Sequence, residues 1–276
     1  MILLKTQVSQ FQKRIFFWWK GNKRDLPWRH THDPYNIFVS EMMLQQTQVE
    51  RVRERHAEFI EAYPTISDLA NASPADVLRI WKGMGYNRRA LYLHQTAIII
   101  VQKYNGSFPI DEQKLVKLPG LGKYTARAIL VFAYKKDIAM VDTNIRQIIT
   151  HFFFHDTPQS EKIIQELADQ LVPKGKSWEW HQAMMDFGSH MRTVSGIKYH
   201  VSSKKKKLPF KKSNRYFRGR TMDELREKSY KEKKLTKILC SKYGKDEIFY
   251  INLLKGLEKD GLVTKKKDSW MLPTTI

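Results

Sequence analysis

Along most of the chain, apolar residues return every three or four positions, the rhythm of a helix with one buried face; strand-like alternation is absent until the last stretch. This predicts an all-α body. A first helix is expected over residues 7–20, stopped by Gly21-Asn22 and followed by a loop ending at Trp28-Arg29. Leu44, Val49, Val52, Phe59 and Ile60 share one face of a single long helix expected over residues 35–63. That puts Glu41 near its start, and Pro64 ends it. Short helical segments over 66–71 and 75–82 precede the turn Gly83-Met84-Gly85 and a helix over 88–104. Residues 115–134 form a helix-turn-helix hairpin around Pro119-Gly120-Leu121-Gly122. Asp142 sits just before a helix carrying Ile145, Ile148, Ile149 and Phe152, and two more helices, 160–171 and 181–191, complete the body.

The pattern changes near residue 196. Residues 196–214 are basic, with four consecutive lysines at 204–207, and read as a linker. Helical segments near 223–243 and 246–259 then lead to Gly261-Leu262-Val263-Thr264, a lysine-rich turn and Ser269-Trp270-Met271-Leu272. Helices followed by a short basic hairpin suggest a small winged-helix-like module. No internal repeat is present.

Composition narrows the kind of partner. At 276 residues with 42% apolar side chains, the chain can hold one large core or two modest domains plus an appendage. Its formal charge of +21 points to a polyanion, nucleic acid before membrane. Residues 204–276 supply +13 of that charge, with 22 Lys and Arg against 9 Asp and Glu. Cys240 is the only cysteine, which rules out an intramolecular disulfide, argues against a thiolate-held metal and suggests a reducing, intracellular setting. The apolar run Ile15-Phe16-Phe17-Trp18-Trp19 follows Lys13-Arg14 and is too short for a signal peptide or a membrane span; a buried amphipathic helix is expected instead.

Candidate chemistry centres on Leu118-Pro119-Gly120-Leu121-Gly122-Lys123-Tyr124-Thr125-Ala126. Two glycines two residues apart allow a tight turn that exposes backbone N–H groups, and the following helix aims its positive end at the same point. The stretch is therefore an anion seat, or taken alone an ordinary connection between two helices. Glu41 lies among Phe38, Val39, Met42 and Met43, where burial would raise its pKa and keep it protonated; alone, it would be a solvated residue of a helix's first turn. Asp142, immediately before Thr143-Asn144-Ile145, is by itself an ordinary N-cap.

Taken together, Leu26-Pro27-Trp28-Arg29, Asp33-Pro34-Tyr35, Gln45-Gln46-Thr47-Gln48, Gly83-Met84-Gly85-Tyr86, the glycine turn, Met140-Val141-Asp142-Thr143-Asn144 and Met184-Met185-Asp186-Phe187-Gly188 make the chain resemble the helix-hairpin-helix DNA glycosylase superfamily, in particular its MutY-type adenine glycosylases. The resemblance covers residues 11–193 and implies a two-lobed fold with the active site in the groove between lobes. The expected division is residues 1–29 plus 138–203 as one lobe, 30–137 as a six-helix lobe with the hairpin, 204–220 as a basic linker and 221–276 as the winged-helix-like module. The implied reaction is hydrolysis of the N-glycosidic bond of a mismatched base, adenine opposite guanine or 8-oxoguanine. Glu41 would be the acid that protonates the departing base, and Asp142 would stabilise the cation-like sugar. Tyr124 stands where the endonuclease III branch carries a Schiff-base lysine; a phenol cannot form that imine, so no β-lyase activity is expected. Lys123, about 100° around the helix, faces elsewhere.

A base inside a duplex must be flipped out before these groups can reach it. The resemblance makes Gln46 and Tyr86 the wedge residues and sets Arg29 on the DNA strand. Gly120, Gly122 and Lys123 would hold the backbone, with a monovalent cation on the turn's carbonyls. Arg24, Gln182 and Asp186 would line the base pocket. The implied partner is double-stranded DNA with a mismatch or lesion, bound by a monomer in the bacterial cytoplasm or a eukaryotic nucleus, with no membrane partner.

Three departures qualify the likeness. The family's four-cysteine motif falls on Arg192, Tyr199, Ser202 and Leu208, so no iron–sulfur cluster is expected, and Lys198 and Lys204 to Lys207 would supply its DNA contacts. Asn87 replaces an aromatic residue. The tail is too short and too helical for a Nudix-like β domain, which puts specificity for 8-oxoguanine in doubt. Arg215-Tyr216-Phe217-Arg218-Gly219-Arg220 is either a phosphate-and-stacking strip or a solvated linker run. Two other functions stay open: a thymine or uracil glycosylase acting on T:G or U:G, and a non-catalytic binder of distorted DNA.

Overall fold

The structure, a computed structural model, describes residues 1–194 and 209–275. It is all-α apart from one small sheet. The helices in chain order are α1 (Lys5–Lys20), α2 (Pro34–Leu44), α3 (Val49–Ala62), α4 (Ile66–Asn71), α5 (Pro74–Ile80), α6 (Arg88–Tyr104), α7 (Glu112–Leu115), α8 (Lys123–Phe132), α9 (Thr143–Phe154), α10 (Glu161–Leu171), α11 (Ser177–Val194), α12 (Asn214–Glu227), α13 (Glu232–Tyr243) and α14 (Glu247–Lys259). Two compact units divide the chain, one from Met1–Glu41, Pro109–Lys117 and Leu121–Ser203, the other from Met42–Phe108, Leu118–Gly120 and Lys204–Ile276.

In the first unit, Phe11, Ile15 and Trp19 recur four residues apart on α1 and enter a core with Ile145, Ile148 and Ile149 of α9, Leu167 and Leu171 of α10, and Trp180, Met184 and Phe187 of α11. Of the Ile15–Trp19 run, Ile15 and Trp19 enter this core, Phe16 and Trp18 pack against it, and Phe17 is left outside, 80% exposed. Trp19, at the end of that run, reaches the site described below.

In the second unit α4 and α5 pack on α6, with Leu69, Val77, Leu78, Leu93 and Ala97 buried. The long helix expected over 35–63 is two helices, and Glu41 lies in the last turn of the first. The break has a definite cause. The guanidinium of Arg89 donates to the carbonyls of Met42 and Met43 at 2.9 Å and of Gln45 at 2.6 Å. Those acceptors would otherwise take the N–H groups of a continuing helix. Gln46 then turns through φ +54, and Gln48 starts α3.

The C-terminal residues fold as helices around a three-stranded antiparallel sheet: β1 (Tyr230–Lys231), β2 (Thr264–Lys266) and β3 (Ser269–Met271), in the order β1-β3-β2. Helix, strand, two helices and a hairpin follow in the order of a winged helix. The expected linker is shorter than 204–220, because Ser213 caps α12, its side chain accepting from the Tyr216 N–H. The segment expected as one helix over 223–243 is divided by β1. This module belongs to the second unit. Arg226 donates to the Leu78 carbonyl at 2.8 Å and to Asn87 Oδ1 at 2.9 Å, and Lys82 pairs with Glu227 at 3.0 Å. Asn87, the departure beside Tyr86, is therefore a docking point for α12. Among the described residues no helix is long and apolar enough to cross a membrane.

Candidate active site

Glu41, Tyr124 and Asp142 come together in the first unit. Glu41 is 6% exposed. Burial pushes its carboxyl up to about 7; a hydrogen bond from the Tyr124 hydroxyl works against that rise, and the charge of Asp142 adds to it. Its place at the end of α2 is also the negative end of a helix dipole, where a carboxylate is disfavoured. The Tyr124 phenol is raised well above its ordinary value, first by burial and then by the two neighbouring carboxylates, so it remains a donor.

Asp142 caps α9 as its sequence suggests. Its Oδ1 accepts from the Ile145 N–H and its Oδ2 from Asn144 Nδ2, both at 2.7 Å. These bonds and the charge of Arg192 favour the ionised form, but burial outweighs them and the net direction is upward.

Asn144 was not singled out from the sequence. Its Oδ1 accepts a hydrogen bond from Arg192, the residue aligned with the first missing cysteine. Gly188 explains part of the Met184–Gly188 block: a Cβ there would lie 2.7 Å from Asn144 Cβ and 3.0 Å from its carbonyl oxygen. An Asn two positions after a capping Asp was the available signal. His181, also overlooked, accepts from the Met140 N–H through Nε2 at 3.1 Å and bonds the Ser177 carbonyl through Nδ1 at 2.6 Å. Burial drives its pKa down to about 4, so it is neutral and fixes the segment that delivers Asp142.

The residues expected in the base pocket divide. Asp186 is a hub: Trp19 Nε1 at 2.9 Å, Arg24 Nε at 2.6 Å and both terminal nitrogens of Arg29 at 2.9 and 2.8 Å reach its two oxygens. Burial alone would raise this carboxyl, but the hydrogen bonds and charges of Arg29 and Arg24 bring it below the usual value. Arg29 was expected on the DNA strand. It is instead turned inward, its side chain 7% exposed, because a buried carboxylate needs it. Arg24 keeps 34% of its side chain open. Gln182 is buried with an Oε1 that meets no partner among the described residues. At the start of α8, Gly122 is exposed and no side chain caps the helix, leaving its first amides as an anion seat. Lys123 beside it is exposed.

Gln46, Tyr86 and Gly120 belong to the second unit. Gly120 has φ +76, and a Cβ on it would fall 2.7 Å from Met42 Cε and 2.8 Å from Tyr92 Cβ, so only glycine fits. Gln46 and Tyr86, at φ +54 and +44, are non-glycine residues in left-handed backbone, and both are exposed. Arg89 ties their turns together. Besides the carbonyls before Gln46, it donates to Met84 O at 2.9 Å and Gly85 O at 3.2 Å. Burial lowers its pKa to about 10, which leaves it charged near neutrality. Lys198, Tyr199, Ser202, Lys204 to Lys207 and Leu208 lie outside the described residues.

Residues 39–174 match the model of the HhH-GPD superfamily of base excision DNA repair proteins. The chain is 40% identical over 183 residues to an adenine DNA glycosylase of Mycolicibacterium smegmatis, covering 65% of this chain and 62% of that one. It thus spans about six tenths of that relative's length. It is 33% identical to a thymine/uracil-DNA glycosylase of Methanothermobacter thermautotrophicus, covering 65% of this chain and 83% of that one. A solved thermostable thymine-DNA glycosylase superposes with a TM-score of 0.63 at 32% identity, over 67% of this chain and 87% of the other. The buried acid beside the hairpin tyrosine, the capping aspartate and these likenesses agree: the chain belongs to the HhH-GPD superfamily of base excision DNA repair proteins.

Proposed function

We propose that this chain is a monofunctional DNA glycosylase that hydrolyses the N-glycosidic bond of adenine mispaired with guanine or 8-oxoguanine. One observation carries the reading: Glu41, held up to about 7 by burial, shares a site with Asp142. An acid still protonated near neutrality can give its proton to a departing base, so that the base leaves neutral. As the glycosidic bond breaks, the sugar becomes cation-like, and ionised Asp142 stabilises it until water adds. Tyr124 donates to Glu41 and holds the acid in place. With no lysine at position 124 the product is an intact abasic site.

In the first unit the anion seat at Gly122 suits a DNA phosphate, and in the second the exposed Gln46 and Tyr86 suit insertion into a duplex. The residues do not fit the family's iron–sulfur cluster. Cys240 is the only cysteine, and Arg192, at the first ligand position, is engaged by Asn144. The enzyme is proposed to act as a monomer wherever the cell keeps its DNA.

A panel of A:G, A:8-oxoguanine, T:G and U:G duplexes tests the proposal. Adenine release, with strand breakage only after alkali, is the expected result; release of thymine or uracil alone would overturn it. That second reading draws support from the thymine/uracil-DNA glycosylase relative, of which the chain covers 83%. Against it stands Gln182, whose free amide oxygen suits an amino donor, and adenine carries one where thymine and uracil carry a carbonyl.

A further inference from the structure

The second unit contains a cavity of about 1110 Å³ with one wall from the turns that carry Gln46 and Tyr86 and the other from α12 and its approach. Nine Lys and Arg line it against two carboxylates, Glu54 and Asp223. Several of the cations are neutralised in part: Arg220 and Arg226 share Asp223, and Arg88 and Arg218 share Asp260. Three meet no carboxylate among the described residues: Arg89, whose donors are taken by backbone carbonyls, Arg51, and Arg215, whose partners are aromatic. Its Cζ lies 3.9 Å over the Tyr86 ring, its Nη1 donates to the Tyr86 hydroxyl at 2.8 Å, and Phe210, 60% exposed, stands 5.9 Å away.

The strip from Arg215 to Arg220 is therefore not a uniform contact surface. Helix α12 buries Phe217, pairs Arg220 with its own Asp223 and Arg218 with Asp260, and leaves Arg215 without a carboxylate among the described residues. The volume exceeds the roughly 300–1,000 Å³ of ordinary small-molecule sites. A net positive cavity with exposed aromatic rings and cations lacking counter-charges suits a chain of phosphates and bases better than one small anion.

We propose that the cavity between the Gln46 and Tyr86 turns and α12 seats the phosphodiester backbone of a DNA strand, with Arg51 and Arg215 as its phosphate contacts. The site rests on the proposed action on DNA and gives the C-terminal module its part in it. Arg215 occupies the face of Tyr86 in the free protein and passes to a phosphate when DNA arrives, releasing the ring.

The test is the salt dependence of binding, measured with the full chain and a labelled duplex holding an A:G mismatch. Each lost phosphate contact lowers the log–log slope by about 0.9, so Arg51→Gln/Arg215→Gln should lower it by about 2 and weaken binding about tenfold or more. Arg215→Lys, which keeps the charge, should restore about half the loss when paired with Arg51→Gln. Lys20→Gln/Lys103→Gln, equal in charge but outside the cavity, should have a smaller effect. An unchanged slope in the first pair, or equal losses in both pairs, would overturn the proposal, as would competition by inorganic phosphate or deoxyadenosine monophosphate as effective as by duplex. Melting temperatures within a few degrees of the parent show that the variants fold. The readout is binding, so absence of base release by the parent protein would overturn the glycosylase reading and leave this one standing.

Discussion

The proposed reaction needs Glu41 to hold a proton while Asp142 lacks one, although burial pushes both carboxyls upward. Bonding separates them: Asp142 takes an N–H, an amide and a distant guanidinium charge, whereas Glu41 has the Tyr124 hydroxyl. Single-turnover base release should fall about tenfold per unit as pH rises beyond about 7, where Glu41 ionises, and fall again in acid as Asp142 protonates. Glu41→Gln should lose about a hundredfold or more in rate, and Asp142→Asn should match it, with duplex affinity kept within about tenfold, or about 1.4 kcal/mol. Unchanged turnover in either variant would refute the assignment, whereas a parent protein that binds mismatched duplex without releasing a base would support the non-catalytic binder. The stability sign follows from the raised Glu41 value: its contribution is fully present below the unfolded pKa and lost as pH rises through about 7. Glu41→Gln should therefore gain melting temperature relative to the parent above pH 7 and not near pH 4. The burial of Glu41 and the capping by Asp142 were legible because their neighbours along the chain carry the signal. The inward turn of Arg29 was not, because Asp186 lies 157 positions away.

Helix spacing was read from single segments and largely holds, since each buried face repeats within its own segment. What failed was set by partners elsewhere. The break between α2 and α3 comes from Arg89, more than 40 residues downstream, and α12 was hidden because its charged surface resembles a solvated linker. The crossing of α9 and α11 offers a direct check on how elements fix chemistry. A methyl group in Gly188→Ala would meet Asn144 at 2.7 Å and push it from Asp142. A stability loss of about 1–3 kcal/mol is expected, with base release slowed more than duplex binding is weakened. A variant with parental melting and turnover would show that the close approach does not matter.

At the scale of the molecule, charge suggests a nucleic-acid partner, but not that the basic tail folds into the second unit. That docking depends on Arg226, 6% exposed and bonded to Leu78 and Asn87. Arg226→Met should cost about 1–3 kcal/mol by leaving those acceptors unpaired, and it should hasten tryptic release of the module. Parental melting and digestion would refute that role. Arg89 has a different reach. One cation gathers carbonyls from two loops that are far apart in sequence, so neither loop has a private anchor. Loosening either one strips acceptors from the other's fastener, and the glutamine and tyrosine at their tips should therefore enter a double helix in concert, as two prongs on a single stem.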